Sequence, residues 1–93
     1  MSRIVCDWDP QKAASNRRKH GVSFEEAKTV FDDPLVLLLA DWDHGEPRII
    51  AIGTATSERV LFVVSVERAQ DVLRIVTARR ATKTERKRYE ENE

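Results

Sequence analysis

The chain has one cysteine, three glycines and three prolines in 93 residues, and each scarcity removes a class of protein. The lone thiol, Cys6, can form neither an internal disulfide nor a cysteine-based zinc site. It fits a reducing compartment and reads as a small apolar strand residue. Glycines scattered at 21, 45 and 53 build no phosphate-cradling loop. His20 and His44 stand alone, without the spacing or the His/Cys grouping that zinc requires, so neither metal nor cofactor is expected. Ser15, Ser23, Ser57 and Ser65 lie in no nucleophile elbow. The longest apolar run, residues 35–40, is strand-sized and far short of a bilayer span, and the opening MSRIVCDWDP lacks a signal-peptide core. The expectation is a cytoplasmic protein with no membrane partner.

What is present is a modest core and a heavily ionised surface: 41% of residues are hydrophobic and 34% charged. That suits one domain over residues 1–93. The net charge is zero but unevenly spread: residues 12–20 carry +4, residues 79–88 carry +5, and residues 21–73 carry −6. Screening removes exposed charges beyond about 8 Å at physiological salt, so a phosphate ligand responds to the local runs. The same runs also suit ordinary solvated helix faces.

Residues 3–7 alternate as a short strand. Asp9-Pro10 reads as an N-cap with proline at the first helical position, and that helix ends at Gly21, suited to a left-handed C-cap. Its apolar face is thin, so it lies on the surface. Ser23-Phe24-Glu25-Glu26 reads as a capping box opening a second helix, with Phe24, Ala27, Val30 and Phe31 on one side and an end at Asp32-Asp33-Pro34. These two helices form an αα-hairpin. Residues 35–42, 48–54, 60–66 and 72–78 are rich in Val, Ile and Leu and are joined by short turn-like segments, which predicts a four-stranded antiparallel meander. Gly53 suggests a bulge or a close backbone approach. Thr82-Lys83-Thr84-Glu85 is a second capping box, opening a helix through about residue 90. The fold class is α+β, a sheet faced by helices.

Cutting RNA without a metal needs a base for the 2′-hydroxyl, cations for the phosphorane and an acid for the leaving oxygen. Arginine forks suit the phosphate: Arg74 is the one charge within VLRIVTA, Arg79 and Arg80 leave the same strand, and Lys83 and Arg86 follow. Alternation sends Arg79 and Arg80 to opposite faces, and Arg79 shares the odd-numbered parity of Ser65 and Glu67. Proton-transfer candidates are His20, Glu67, Lys19 and Tyr89. For each a structural role stands beside the chemical one: His20 as a helix C-cap, Glu67 as a surface carboxylate paired with Arg68 or Arg74, Tyr89 as a ring packed on the sheet. If residues 60–66 and 72–78 pair around ERAQD, Glu67 sits at the far end of the strand from Arg79. Trp42 could stack on bases, Trp8 reads as core, and His44 reads as a solvated loop residue.

Taken in order, several blocks resemble the BrnT family, a branch of the RelE-like toxins. They are Trp8-Asp9, Asn16, residues 19–27 (KHGVSFEEA), residues 30–34, the strand around Gly53, Glu67-Arg68, residues 74–81, Glu85-Arg86 and Tyr89. The resemblance implies a RelE-like fold and metal-independent endoribonuclease activity that blocks translation and growth. It also implies neutralisation by a BrnA-type DNA-binding antitoxin, with a homodimer possible within that complex. It carries the catalytic roles to Glu67, Arg79 and Arg80, with Lys19 and His20 nearby in the pattern; Arg74, Lys83, Arg86 and Tyr89 are read from their own residue types as RNA contacts. One departure is Ser65, where relatives often carry histidine two residues before the Glu-Arg pair. The alternative reading is a non-catalytic module that holds nucleic acid or protein through its basic helices.

Overall fold

The computed structural model describes residues 4–42 and 45–92; Arg3, expected to open the first strand, and His44 lie outside them. The chain runs β1 (Val5–Asp7), α1 (Pro10–His20), α2 (Phe24–Lys28), a 3-10 turn (Thr29–Asp32), β2 (Leu37–Asp41), β3 (Arg48–Thr54), β4 (Val60–Ala69), β5 (Val72–Arg80) and α3 (Lys83–Glu91).

The expected four-stranded antiparallel sheet is corrected to a five-stranded mixed one, ordered β1-β5-β4-β3-β2. Strands β2 to β5 form the meander, and β1 adds in parallel to β5, with Val5 opposite Val72 and Asp7 opposite Arg74. A parallel neighbour needs a long connection, and here everything from α1 to β4 supplies it. The turn between β4 and β5 is also tighter than ERAQD suggested. The strands continue to Ala69 and from Val72, and Asp71 takes a positive φ of 63°.

The helix ends follow their capping chemistry. Asp9 caps α1 through the Gln11 amide, and Gly21 closes it at φ 69°. Ser23 accepts from the Glu26 amide, but the reciprocal half of the expected capping box is absent. The Glu26 carboxylate is taken by Arg59, whose Nε lies 2.8 Å away, and by the Ser57 hydroxyl. The second box is complete at Thr82 and Glu85.

One face of the sheet carries the core. Val22, Phe24, Ala27, Val30 and Phe31 from the α2 region pack on Ala51, Leu61, Val63, Leu73, Ile75 and Ala78. Trp8 meets Phe24 edge to face at 6.0 Å, the core role read for it. A Cβ at Gly53 would lie 2.9 Å from a Val30 methyl, so the glycine lets α2 and its 3-10 extension settle directly on β3.

The edge of β5 past the end of β1 is completed by one side chain. Asn16, 7% exposed, donates from Nδ2 to the carbonyls of Ala78 (2.8 Å) and Val22 (3.0 Å). Its Oδ1 accepts from the Ala78 amide (3.1 Å) and the Thr77 hydroxyl (3.2 Å). All four hydrogen-bonding positions of the carboxamide are therefore filled, and it pairs with Ala78 much as a neighbouring strand residue would.

Candidate nucleic-acid interface

An irregularity in the β4–β5 ladder decides which side chains share a face. Val64 pairs with Thr77 but Ser65 pairs with Ile75, so Val76 is an extra residue on β5. Such a bulge reverses side-chain parity beyond it. Arg74, Thr77 and Arg79 therefore all lie on the face away from α2, opposite Val66, Val64 and Phe62, and Thr77 stands at the sheet edge that α1 flanks. Arg79 does not share a face with Ser65 and Glu67, and the expectation from odd numbering is corrected. Ser65 is fully buried beneath the helices, donating to the Ile49 carbonyl at 3.1 Å.

A groove of about 260 Å³ runs between α1 and the bulged part of β5, lined by Lys12, Ser15, Asn16, Lys19, His20, Val76 and Thr77. The structure thus brings Lys19 and His20 against the strand that carries the arginines. Thr77 is two residues from Arg79 on the same face, about 6.6 Å along the strand. The carbonyl end of α1 disfavours an anion, and Arg17, Arg18 and Lys19 in its last turn oppose that field.

Arg79 is the most constrained cation. Its guanidinium carbon lies 4.1 Å from the centre of the Phe62 ring, and its two terminal nitrogens bind the Glu85 carboxylate at 2.8 and 2.9 Å. Nη1 also donates to the Arg80 carbonyl at 3.2 Å. Three of five N–H groups are used, leaving Nε–H and one Nη2–H. Hydrogen bonding from Arg79 holds the Glu85 carboxyl below its ordinary range, against the opposing effect of burial.

The other expected residues scatter. Arg80 is exposed on the opposite face, near enough to Glu26 to favour its charge. Arg74 pairs with Asp7 at 3.1 Å, an exposed pair of small energetic weight. Lys83 and Arg86 are exposed on α3. Glu67 is set apart: five residues along β4 from the partner of Arg79, about 17 Å, it lines a cavity of about 90 Å³ with Leu38, Ile49, Asp71 and Leu73. Tyr89, expected to touch RNA, is instead 9% exposed, with its hydroxyl hydrogen-bonded to Asp33 and to the Thr54 hydroxyl, so it anchors α3. Trp42 is 70% exposed. Among the described residues no group of three or more His, Cys, Asp or Glu is placed to hold a metal ion, and no helix is long and apolar enough to cross a membrane.

Asn16 had no assigned task in the sequence, since a lone asparagine within a surface helix carries no signal of a strand-edge partner. The nearest hint was its place four residues before His20, one helical turn away.

Acid should loosen this framework in a defined window. Hydrogen bonds from Arg59 hold the Glu26 carboxyl low, against burial and with help from Ser57. A depressed folded pKa gives stability that is present above the ordinary carboxylate value, 4.5 here, and is lost as pH falls through the folded value. The melting temperature should hold between pH 7 and 5 and fall below about 4.5, and Glu26→Gln should lower it at pH 7 and flatten the acid decline. Thermal melts from pH 3 to 8 check this; an unchanged acid limb in the variant would assign the loss elsewhere.

A family model described as "Ribonuclease toxin, BrnT, of type II toxin-antitoxin system" matches residues 8–85. The fold is similar to the 1.1 Å crystal structure of the Brucella abortus ribonuclease toxin BrnT, with a TM-score of 0.66 and 20% sequence identity, covering 89% of this chain and 100% of that one. No curated relative matches the chain.

Proposed function

The chain belongs to the BrnT family of ribonuclease toxins of type II toxin–antitoxin systems, and from that premise we propose that it cuts RNA without a metal, blocks translation and is neutralised by a BrnA-type antitoxin. The observation that carries the reading is the groove between α1 and β5, where Lys19 and His20 face the strand bearing Arg74 and Arg79. In this proposal the phosphate lies along β5. His20, whose imidazole can both accept and donate a proton, exchanges a proton with the reacting oxygens. Arg79 offers its two free N–H groups to the phosphorane, and Lys19 adds charge beside them. Arg74, Arg80, Lys83 and Arg86 bind flanking phosphates. Glu67 has no part in this arrangement, because it opens on the other face.

One observation favours the alternative, a binding module: the fork of Arg79 is already closed on Glu85. Expression separates the two. Synthesis of the chain alone should arrest bacterial growth, and co-expression of the adjoining gene should restore it. Normal growth at confirmed high levels of folded protein would refute the toxin reading.

A further inference from the structure

A side-chain carboxamide fits a site either way round, and a hydroxyl turns to suit its neighbours. At the edge of β5 neither choice is open. Asn16 faces the backbone of Ala78, whose amide needs an acceptor (3.1 Å) and whose carbonyl needs a donor (2.8 Å). The strand itself therefore assigns the oxygen and the nitrogen of the carboxamide. The Thr77 hydroxyl lies 3.2 Å from that oxygen. A carboxamide oxygen accepts and never donates, so Thr77 spends its proton there. What the half-buried hydroxyl turns to the α1–β5 groove, which it lines, is its lone pairs. Backbone orients amide, amide orients hydroxyl, and the groove receives an acceptor of fixed direction.

We propose that Thr77 is a specificity-determining residue that accepts a hydrogen bond from the 2′-hydroxyl of the ribose beside the cleaved nucleotide. The proposal rests on the ribonuclease reading and adds which part of the substrate the groove recognises. Its neighbours there have other tasks: Lys12 and Lys19 are donors alone and suit phosphate, and the Asn16 carboxamide is fully used. A strand laid in the groove covers the Thr77 lone pairs, and an acceptor buried without a donor weakens the complex. A ligand that fits must therefore bring a donor to this point. Thr77 stands about 6.6 Å from Arg79 along the same face, comparable with one nucleotide of an extended strand. With the reacting phosphate at Arg79, the sugar–phosphate backbone passes Thr77, and the donor on that backbone is a 2′-hydroxyl. The attacking 2′-hydroxyl is not the one read, because it has a single proton and that proton goes to the base. A chain built this way prefers consecutive ribose units, beyond the one ribose that the chemistry itself requires.

The test uses the purified full chain and a short single-stranded RNA, with a single 2′-deoxyribose placed at each position in turn. Single-turnover kcat/KM and equilibrium affinity are measured for each member of the set. Deoxyribose at one neighbour of the cleaved nucleotide should cost the wild-type chain roughly two- to tenfold, the worth of one neutral hydrogen bond. Thr77→Val should lose the same factor on the all-ribose RNA and nothing further at that position. Thr77→Ser, which keeps the hydroxyl, should keep the penalty. A hydroxyl with a purely structural role would leave the position-specific penalty intact in Thr77→Val. Asn16 keeps its three backbone bonds in that variant, so the melting temperature should fall by only about 5 °C. Should valine not fold, Thr77→Ala carries the same prediction. The proposal is overturned if no neighbouring deoxyribose weakens the wild type, or if Thr77→Val pays the full penalty at every position. It is also overturned if removing the exocyclic amine of a base, rather than a 2′-hydroxyl, erases the difference between Thr77→Val and wild type. A wild-type chain that cuts no RNA yet shows the Thr77-dependent penalty in affinity sinks the ribonuclease reading and leaves this contact standing.

Discussion

Replacing Arg79 with alanine is expected to slow single-turnover RNA cleavage by about a hundredfold or more, the usual cost of losing a preorganised group that meets charge developing in the transition state. The side chain is preorganised by two contacts, the Phe62 ring beneath it and the Glu85 carboxylate at its tip. Alanine removes those anchors as well as the cation, so two controls are needed. Glu85→Gln frees the fork while keeping the charge, and should cost stability more than rate. Arg79→Lys keeps the charge but cannot span Glu85 and a phosphate together, and should recover only part of the rate. Arg80→Ala, on the opposite face, should leave the rate largely intact and lower the salt dependence of RNA binding by about one counterion. Full cleavage in a well-folded Arg79→Ala chain would make this arginine structural and move the reaction to Lys19 and His20 alone.

The largest effect on stability is expected at Asn16. Alanine there leaves the Ala78 amide and the carbonyls of Ala78 and Val22 without their partner in a buried setting. Each orphaned group costs about 1–3 kcal/mol, so the sum should be on the order of 3 kcal/mol or more. A domain of this length is stable by only about 5–14 kcal/mol in total, and a loss of that size lowers the melting temperature by about 15 °C. Aspartate should be worse than alanine at pH 7, because it keeps the acceptor but sets a negative oxygen against two carbonyls. Urea unfolding of the three chains gives the comparison. An alanine variant within about 0.5 kcal/mol of wild type, the scatter of ordinary surface substitutions, would show that water replaces the carboxamide without loss.

Much of the fold was legible because it is local. Asp9, Gly21, Ser23 and Thr82 mark helix ends through chemistry confined to a few neighbouring residues, and those ends stand where expected. The β2–β5 meander followed from turns too short for any other connection. Pairings between distant segments were not legible. Nothing in VCD announces that β1 joins β5 in parallel, and nothing in RIVTARR marks Val76 as a bulge. That one extra residue moved Arg79 away from Glu67 and placed it above Phe62, and so changed the candidate site more than any helix boundary did. Glu26 shows the same limit: its sequence position fits a capping box, but Arg59, distant in sequence, claims the carboxylate.

The measurement that tests the central claim most directly is cleavage of a defined RNA by the purified chain in excess chelator, with analysis of the new ends. Attack by the RNA's own 2′-hydroxyl, driven by His20, Lys19 and Arg79, predicts undiminished cutting and products ending in a 2′,3′-cyclic phosphate or a 3′-phosphate. Activity abolished by the chelator and restored by a divalent ion, or products ending in a 3′-hydroxyl, would contradict it.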